Sequence, residues 1–260
     1  MDFISAVILG VVEGVTEFLP ISSTGHLILA ERLLALPPSE FWKSFTVAIQ
    51  LGAILAVLVL YWRKLFLNAQ IFKRVVVAFL PTAAVGLLLY PFIKQYLLGS
   101  TTVVLWALGL GGVVIIRFER VYREGSFAVG EVGRMTYRQA FMIGLAQAVA
   151  VVPGVSRAAA TIIGGLMAGL KRTAIVEFSF LLAIPTMAAA TGLDLIKTGA
   201  QFSNSEWAVV SVGFVASFIF AWLAVRWLLR YISRHNFAAF GWYRLILAVL
   251  IYVLVYFGIS

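Results

Sequence analysis

Long apolar runs separated by short charged stretches dominate the chain. Six runs are close to the roughly 20 residues that a helix needs to cross a bilayer; they lie near 43–62, 72–93, 101–118, 175–196, 207–228 and 239–257. This pattern predicts an all-α polytopic membrane protein with six transmembrane helices. Residues 1–260 then form a single integral membrane domain, because no stretch is left for a separate soluble one.

Two further apolar segments, 3–36 and 136–169, are each interrupted near the centre. The first is broken at Pro20 and the second at Pro153-Gly154, and neither half of either segment is long enough to span a bilayer. We therefore expect each segment to be a re-entrant helical hairpin, which enters and leaves the membrane on the same face.

Basic residues are distributed unevenly over the loops that follow from these spans. One set of alternate loops holds Arg63, Lys64, Lys73, Arg74, Arg117, Arg120, Arg123, Arg134, Arg138, Lys171, Arg172, Arg226, Arg230 and Arg234, whereas the other holds only Arg32, Lys43, Lys94 and Lys197. The positive-inside rule makes the first set cytoplasmic. Both termini then lie outside, the first hairpin opens outward and the second opens inward.

Composition agrees with this topology. The chain is 62% hydrophobic and 12% charged, whereas soluble domains carry about 25% charged residues. Its net charge of +9 comes from short loops, so topology explains the charge and nucleic-acid binding is not predicted. The absence of cysteine excludes disulfides, thiolate metal sites and a cysteine nucleophile. The first residues lack a basic region, so we do not expect a cleavable signal peptide.

The two halves of the chain also resemble each other. The sequence from Gly10 has a faint similarity to that from Gly144, and the sequence from Phe45 is similar to that from Phe180. One hairpin plus three transmembrane helices crosses the membrane an odd number of times, which predicts inverted-topology repeats. Repeat one covers about 1–120, a cytoplasmic linker about 121–135, and repeat two about 136–260. In such designs sites form at the membrane midplane, where broken helices meet.

Two acidic residues lie in the first broken segment. Glu13 and Glu17 are four residues apart, so they share one helical face. An ionised carboxylate costs roughly 2.5–3.5 kcal/mol in hydrocarbon, so such a pair needs a cation, a proton or water. The alternative is a structural pair that faces a neighbouring loop.

After Pro20 the chain can restart as a helix with Ser22 or Ser23 as its N-cap, and the free N–H groups of a helix start attract anions. His26 lies within helical reach of both serines, an arrangement that suits a hydroxyl nucleophile beside a base. Ordinary helix capping by the serines and a hydrogen-bonded core histidine are the simpler interpretations.

The second break repeats this arrangement, with Ser156 as the expected cap, and adds Arg157 at the helix start. A guanidinium stays charged and forms paired hydrogen bonds with phosphate oxygens, so its position in a buried helix start predicts an oxyanion ligand. A structural salt bridge to Glu13 or Glu17 is the competing use. Other polar positions are predicted to be structural: Glu177 pairs with Lys171 and Arg172, Arg244 is a span-end charge, Gly109–Gly112 provides close helix packing, and the Trp and Tyr residues form an interfacial belt.

The motifs E-G-V-T-E-F-L-P-I-S-S-T-G-H at 13–26 and P-G-V-S-R at 153–157 closely resemble those of the bacterial undecaprenyl pyrophosphate phosphatase family, the bacitracin-resistance type. The resemblance extends along nearly the whole chain. It implies re-entrant helices in inverted repeats, and an enzyme of the bacterial cytoplasmic membrane. That enzyme removes the terminal phosphate of undecaprenyl diphosphate at the outer face, which recycles the lipid carrier of peptidoglycan precursors. The resemblance is also compatible with a homodimer.

The family motifs match Glu13 and Glu17, then Ser22, Ser23, Thr24 and His26, and finally Pro153 through Thr161. One departure is Ala158, where family members commonly carry a serine. We expect Arg157 to hold the diphosphate with Ser22, Thr24, Gly154, Ser156 and Thr161, while Glu13 and Glu17 hold Mg²⁺ or Ca²⁺.

Two routes of hydrolysis stay open at this point. Ser23 attacks the terminal phosphorus with His26 as base, or water attacks with Glu17 or His26 as base. The rival function is a secondary transporter or flippase for a lipid phosphate, because carriers also use inverted repeats with broken helices.

Overall fold

The computed structural model describes residues 2–97, 99–126, 128–198 and 202–257, without the side chains of Lys94 and of 194–198. Its α-helices are α1 (Phe3–Thr16), α2 (Ser23–Leu33), α3 (Glu40–Phe66), α4 (Ala69–Leu88), α5 (Tyr90–Phe92), α6 (Thr101–Val121), α7 (Tyr137–Ala148), α8 (Arg157–Met167), α9 (Arg172–Thr198), α10 (Asn204–Ile232) and α11 (Ala238–Tyr256). A π-helical turn, Ile93–Leu97, follows α5, and 3₁₀ turns lie at Val132–Arg134 and Val149–Val151.

Six of these helices, α3, α4, α6, α9, α10 and α11, are long and apolar enough to cross a membrane, which confirms the predicted all-α polytopic membrane protein. Polar caps fix the starts of four of them; for example, Ser39 accepts from the backbone of Trp42, and Ser203 forms a capping box with Glu206. The predicted span 72–93 was too long. It ends at Leu88, because Pro91 has no N–H with which to continue the helical hydrogen bonds.

The two interrupted segments are helical hairpins, as predicted. Helix α1 packs against α2, and α7 packs against α8. These helices have only 14, 11, 12 and 11 residues, or about 16–21 Å each, so none crosses a hydrocarbon core of about 30 Å. The second helix of each hairpin, α2 or α8, starts after a residue with a positive backbone φ, Ser22 at 70° and Ser156 at 72°.

The order of one hairpin followed by three long helices occurs twice along the described chain. The packing repeats as well, because α1 lies against α10 and α7 lies against α4. Each crossing is made at a glycine: a Cβ on Gly10 would clash with the carbonyl oxygen of Gly213, and one on Gly144 would clash with that of Ala78. Small residues therefore let each hairpin lie directly against the backbone of a long helix.

Ion pairs join the ends of several helices near the linker between the halves. Arg172 at the start of α9 contacts Glu119 at 2.5 Å, and Glu119 also accepts from the backbone N–H of Phe237 before α11. The predicted pairing of Glu177 with Lys171 and Arg172 was wrong, because Glu177 pairs with Lys64 at the end of α3. Helix α9 packs along α3, which brings these two side chains together.

Candidate active site between two broken hairpins

The breaks of the two hairpins meet around one polar cavity of about 180 Å³. The hydroxyl of Ser156 reaches the carbonyl oxygen of Leu19 at 3.5 Å. The cavity is lined by Glu17, Ser22, Ser23, Thr24, Gln50, Ala150, Val152, Pro153, Gly154, Ser156, Arg157, Thr186, Met187 and Ala190. A larger cavity of about 450 Å³ beside α4 has only Lys73 as a charged lining residue, so we place the chemistry in the smaller one.

Three side chains form a continuous hydrogen-bonded chain across the cavity. The hydroxyl of Ser23 donates to Oε2 of Glu17 at 2.5 Å. The other carboxylate oxygen, Oε1, lies 3.5 Å from the Nη2 atom of Arg157, and both charged side chains are only 10% exposed. Charge-assisted hydrogen bonds of this kind are strong in a desolvated site. The first hairpin thus contributes a hydroxyl and a carboxylate, and the second contributes the cation.

Arg157 is the first residue of α8 and is fixed from two sides. Its Nη1 donates to the carbonyl oxygen of Ser179 at 2.9 Å, and its guanidinium lies over the ring of Phe18 at 5.6 Å. The Nε–H group is buried and has no hydrogen-bond partner. A buried donor without a partner is costly. A ligand that accepted a hydrogen bond from this N–H group would remove that cost.

Glu13 lies on α1 one turn before Glu17 and is fully buried. Neither of its carboxylate oxygens has a hydrogen-bond partner, although Glu17 and Arg157 are close enough to act on its charge. A carboxylate with free oxygens one helical turn from a second carboxylate suits Mg²⁺ or Ca²⁺, which prefer oxygen ligands. Among the described residues, no group of three or more His, Cys, Asp or Glu side chains is placed to hold a metal ion.

The hydrogen bonds of His26 lead away from Ser23. Its Nδ1 lies 2.7 Å from the carbonyl oxygen of Ser22 and therefore donates, since a carbonyl only accepts. Its Nε2 then accepts from the hydroxyl of Tyr243, also at 2.7 Å, and the two rings are stacked with centroids 5.4 Å apart. The proton of Ser23 points instead to Glu17.

Four residues predicted to bind the substrate line the cavity: Ser22, Thr24, Gly154 and Ser156. Ser156 caps α8 through the backbone N–H of Ala159, as expected, whereas Ser22 occupies the cap position of α2 without a side-chain cap bond. Thr161 is absent from the lining of the described cavity, as are Glu13 and His26. Its hydroxyl contacts the carbonyl oxygen of Arg157 at 2.8 Å and Gln147 at 3.2 Å.

Sequence reasoning missed two residues of α11. Tyr243 was assigned to an interfacial belt but bonds to His26, and Arg244 was assigned to a span end but is fully buried behind both breaks. A signal existed, because Arg244 falls inside the predicted span 239–257, where a charged residue is functional by default. Gln50 and Thr186, which line the cavity from α3 and α9, were also missed.

Fold and site together define a polytopic membrane protein with a buried polar site between two broken helical hairpins. The family model described as "Bacitracin resistance protein BacA" matches residues 6–250, and the chain belongs to this family.

Similar proteins agree with this assignment. The chain is 50% identical over 244 residues to a protein named undecaprenyl-diphosphatase from Aquifex aeolicus, covering 94% of this chain and 95% of the relative. It is 48% identical to the protein of that name from a Sulfurihydrogenibium species, over 97% of this chain and 99% of the relative. The Wolinella succinogenes protein of the same name is also 48% identical, over 96% and 97%.

Proposed function

We propose that the chain hydrolyses undecaprenyl diphosphate to undecaprenyl phosphate and inorganic phosphate. Relatives of nearly equal length carry the name of this activity. The observation that carries the proposal is the row of hydrogen bonds from Ser23 through Glu17 to Arg157. Ser23 begins α2 and Arg157 begins α8, and both residues line one cavity. This arrangement combines a nucleophile, a base and an anion-binding group.

Both hairpins hold the substrate in this proposal. The terminal phosphate accepts hydrogen bonds from the free Nε–H of Arg157 and from the backbone N–H groups at the starts of α2 and α8. Helix starts favour negative charge, and phosphoryl transfer depends mainly on position and on neutralising charge. Thr24 and Ser156 line the same cavity and bind further phosphate oxygens.

Ser23 is the proposed nucleophile and Glu17 the base. The hydrogen bond of 2.5 Å lets the hydroxyl proton pass to the carboxylate as the oxygen of Ser23 forms a bond to the terminal phosphorus. The bond between that phosphorus and the bridging oxygen breaks, so undecaprenyl phosphate leaves. The carboxyl of Glu17 gives its proton to the departing undecaprenyl phosphate. Water then attacks the phosphorus of the phosphoserine, the bond between that phosphorus and the oxygen of Ser23 breaks, and one proton of the water restores the hydroxyl of Ser23 as phosphate leaves. His26 orients the backbone of Ser22 beside the nucleophile.

A divalent cation, Mg²⁺ or Ca²⁺, would be held by Glu13 and Glu17. The unpartnered oxygens of Glu13 support this assignment. Such a cation would neutralise charge on the diphosphate. It would also remove the cost of burying two carboxylates of the same sign close together.

The remaining parts of the proposal concern where the enzyme acts. The distribution of basic residues over the loops supports a site that faces the outside of the bacterial inner membrane, and it supports inverted orientation of the two halves. In that position the enzyme would recycle the lipid carrier of peptidoglycan precursors and confer bacitracin resistance. A homodimer is compatible with this arrangement.

Phosphate release from undecaprenyl diphosphate by detergent-purified protein tests the function, because detergent removes any gradient that a transporter would use. We expect release by the wild type, suppression by a chelator, and about a 10³-fold loss in Arg157→Ala, the lower range for a catalytic arginine. Arg230→Ala, which changes an exposed arginine on α10, is the matched control. No release by the wild type would favour a lipid-phosphate carrier, and near-normal release by Arg157→Ala would refute the phosphate clamp.

Trapping distinguishes attack by Ser23 from direct attack by water. The covalent route predicts a phosphoserine at position 23 when a slow substrate is quenched in acid, and no detectable turnover in Ser23→Ala. An active Ser23→Ala that yields no trapped species would show that water attacks directly, with Glu17 as its base.

A further inference from the structure

Arg244 on α11 makes an unusual set of contacts for a buried arginine. Its guanidinium is fully buried and donates only to backbone carbonyl oxygens, five in the described chain. They belong to Pro20, Ala107, Leu108, Gly154 and Val155. Three elements therefore share one side chain: the break of the first hairpin, the break of the second hairpin, and helix α6.

The five hydrogen bonds differ in length. Val155 and Gly154 in the second break accept at 2.9 Å each, and Ala107 of α6 accepts at 2.8 Å. The contacts to Leu108 at 3.3 Å and to Pro20 at 3.5 Å are longer. A planar guanidinium has five N–H donors in a fixed geometry, so all of its donors are used.

Helix α6 has a gap that fits this side chain. A Cβ on Gly111 would clash with the Nη2 atom of Arg244, whereas a Cβ on Gly109 would meet nothing within 4 Å. No carboxylate pairs with Arg244 anywhere in the part of the chain that the structure describes. An ordinary buried ion pair therefore does not explain the arginine, and its charge is balanced only by carbonyl dipoles.

Each break leads directly to a residue of the active site. Ser23 begins α2 three residues after Pro20, and Arg157 begins α8 two residues after Val155. We propose that Arg244 is a positioning residue that joins the two hairpin breaks and so fixes the separation of Ser23 and Arg157. The importance of that separation for turnover rests on the proposed function.

Displacement of a reacting group by about 1 Å can cost about 100-fold in rate. We expect Arg244→Gln, which lacks the charge and most of the donors, to lower kcat for phosphate release about 100-fold. Arg244→Lys keeps the charge but cannot reach carbonyls of all three elements, so we expect a loss of similar size. The change in KM should be much smaller, because Arg157 and both helix starts remain available to bind the diphosphate.

Gly111→Ala tests the same contact without removing the arginine, and it serves where the Arg244 variants fail to fold. We expect about a tenfold lower kcat in Gly111→Ala and unchanged kcat in the matched control Gly109→Ala, which lies on the same helix. In the Arg244→Gln background Gly111→Ala should add little, since two changes that act through one contact are not additive. Equal activity of the two glycine variants, or additive losses, would overturn the proposal.

The distance between the hairpins is a readout that does not depend on turnover. The chain has no cysteine, so Leu33→Cys at the end of α2 and Met167→Cys at the end of α8 give two unique spin-label sites at exposed positions. We expect pulsed electron paramagnetic resonance to give one narrow distance distribution with Arg244 present and a broader one in Arg244→Gln or Gly111→Ala. An unchanged distribution would refute the positioning role.

These two measurements separate the failure of one proposal from the failure of the other. If wild-type protein releases no phosphate, the proposed function fails, and the spin-label distances still decide whether Arg244 joins the hairpins. If phosphate is released and the distances do not respond to Arg244, the activity stands and the positioning role is wrong.

Discussion

The two hairpins share the backbone geometry at the start of their second helices and differ in the side chains placed there. Helices α2 and α8 both start after a serine with φ near 70°, Ser22 and Ser156, which are 134 residues apart. At the same spacing the next residue is Ser23 in the first hairpin and Arg157 in the second. One backbone geometry therefore presents a hydroxyl from one side of the cavity and a cation from the other.

Glu13 and Gln147 form a second pair at this spacing, and only Gln147 has hydrogen-bond partners for its side chain. Gln147 on α7 is fully buried and donates to Thr82 at 2.9 Å and to Thr186 at 3.1 Å, while Thr161 donates to its oxygen at 3.2 Å. Glu13 on α1 is equally buried and has no partner for either oxygen.

Buried polar groups in folded proteins normally find hydrogen-bond partners. The amide of Gln147 thus has a structural role, because neighbouring threonines complete its hydrogen bonds. The carboxylate of Glu13 lacks such partners, and in the proposed function a cation takes their place. Under that proposal, Gln147 serves the fold and its counterpart Glu13 serves the site.

Two single variants, each of which gives one residue the side chain of its counterpart, should produce the largest effects on activity and on stability. Glu13→Gln removes the charge of a proposed cation ligand, and we expect about a 100-fold loss of phosphate release with a higher Mg²⁺ requirement. Gln147→Glu removes the amide donors to Thr82 and Thr186, and we expect unfolding free energy to fall by about 1–3 kcal/mol. Phosphate-release kinetics across a Mg²⁺ titration and thermal unfolding in detergent measure the two effects.

The two variants act as controls for each other. Glu13→Gln should not lower thermal stability, since no hydrogen bond is lost and a buried like charge beside Glu17 is removed. Gln147→Glu should leave the Mg²⁺ requirement unchanged. The comparison fails if Glu13→Gln lowers stability as much as Gln147→Glu does while its activity is retained.

Much of the fold could be predicted because its signals are local. Apolar runs of sufficient length gave the six long helices, and Pro20 and Pro153 marked the breaks of the two hairpins. The cavity-lining role of Ser23 and Arg157 followed in the same way, because a helix start after a break exposes its first residues. Helix α4 ended early at Leu88 for an equally local reason, namely Pro91.

The contacts across the site could not be predicted in this way, because they depend on how distant helices pack. Spacing placed His26 beside Ser23, whereas packing of α11 against the first hairpin gave His26 a different partner in Tyr243. Arg244 reaches three elements that are far apart in sequence. A periodic pattern records which face of a helix is buried, and it does not record what that face contacts.

The glycine crossings test whether the two hairpins are packed by the same device. Gly10→Ala and Gly144→Ala each place a Cβ against a carbonyl oxygen of a long helix, and we expect each to lower unfolding free energy by about 1–3 kcal/mol. Gly86→Ala on α4 meets nothing within 4 Å and should be neutral or stabilising, by up to about 1 kcal/mol. Thermal unfolding in detergent compares all three, and markedly unequal effects at Gly10 and Gly144 would argue against equivalent packing.

The smallest expected effect concerns a feature that only the first hairpin has. At the spacing of 134 residues His26 corresponds to Ala160, so the bond to Tyr243 has no counterpart in the second hairpin. Tyr243→Phe keeps the stacked ring and removes the hydroxyl that donates to Nε2 of His26. One hydrogen bond contributes about 0.5–1.5 kcal/mol, which corresponds to roughly a 2- to 12-fold loss.

Phosphate-release kinetics on Tyr243→Phe should therefore show a kcat lower by such a factor, with little change in KM, since Tyr243 does not line the cavity. His26→Ala should cost more, because it also removes the bond to the backbone of Ser22. A loss in Tyr243→Phe as large as that in His26→Ala would mean that the hydroxyl takes part in proton transfer. An unchanged kcat would mean that Ser22 alone orients the imidazole, and the asymmetry between the hairpins would then reduce to Glu13, Glu17 and Ser23 facing Arg157.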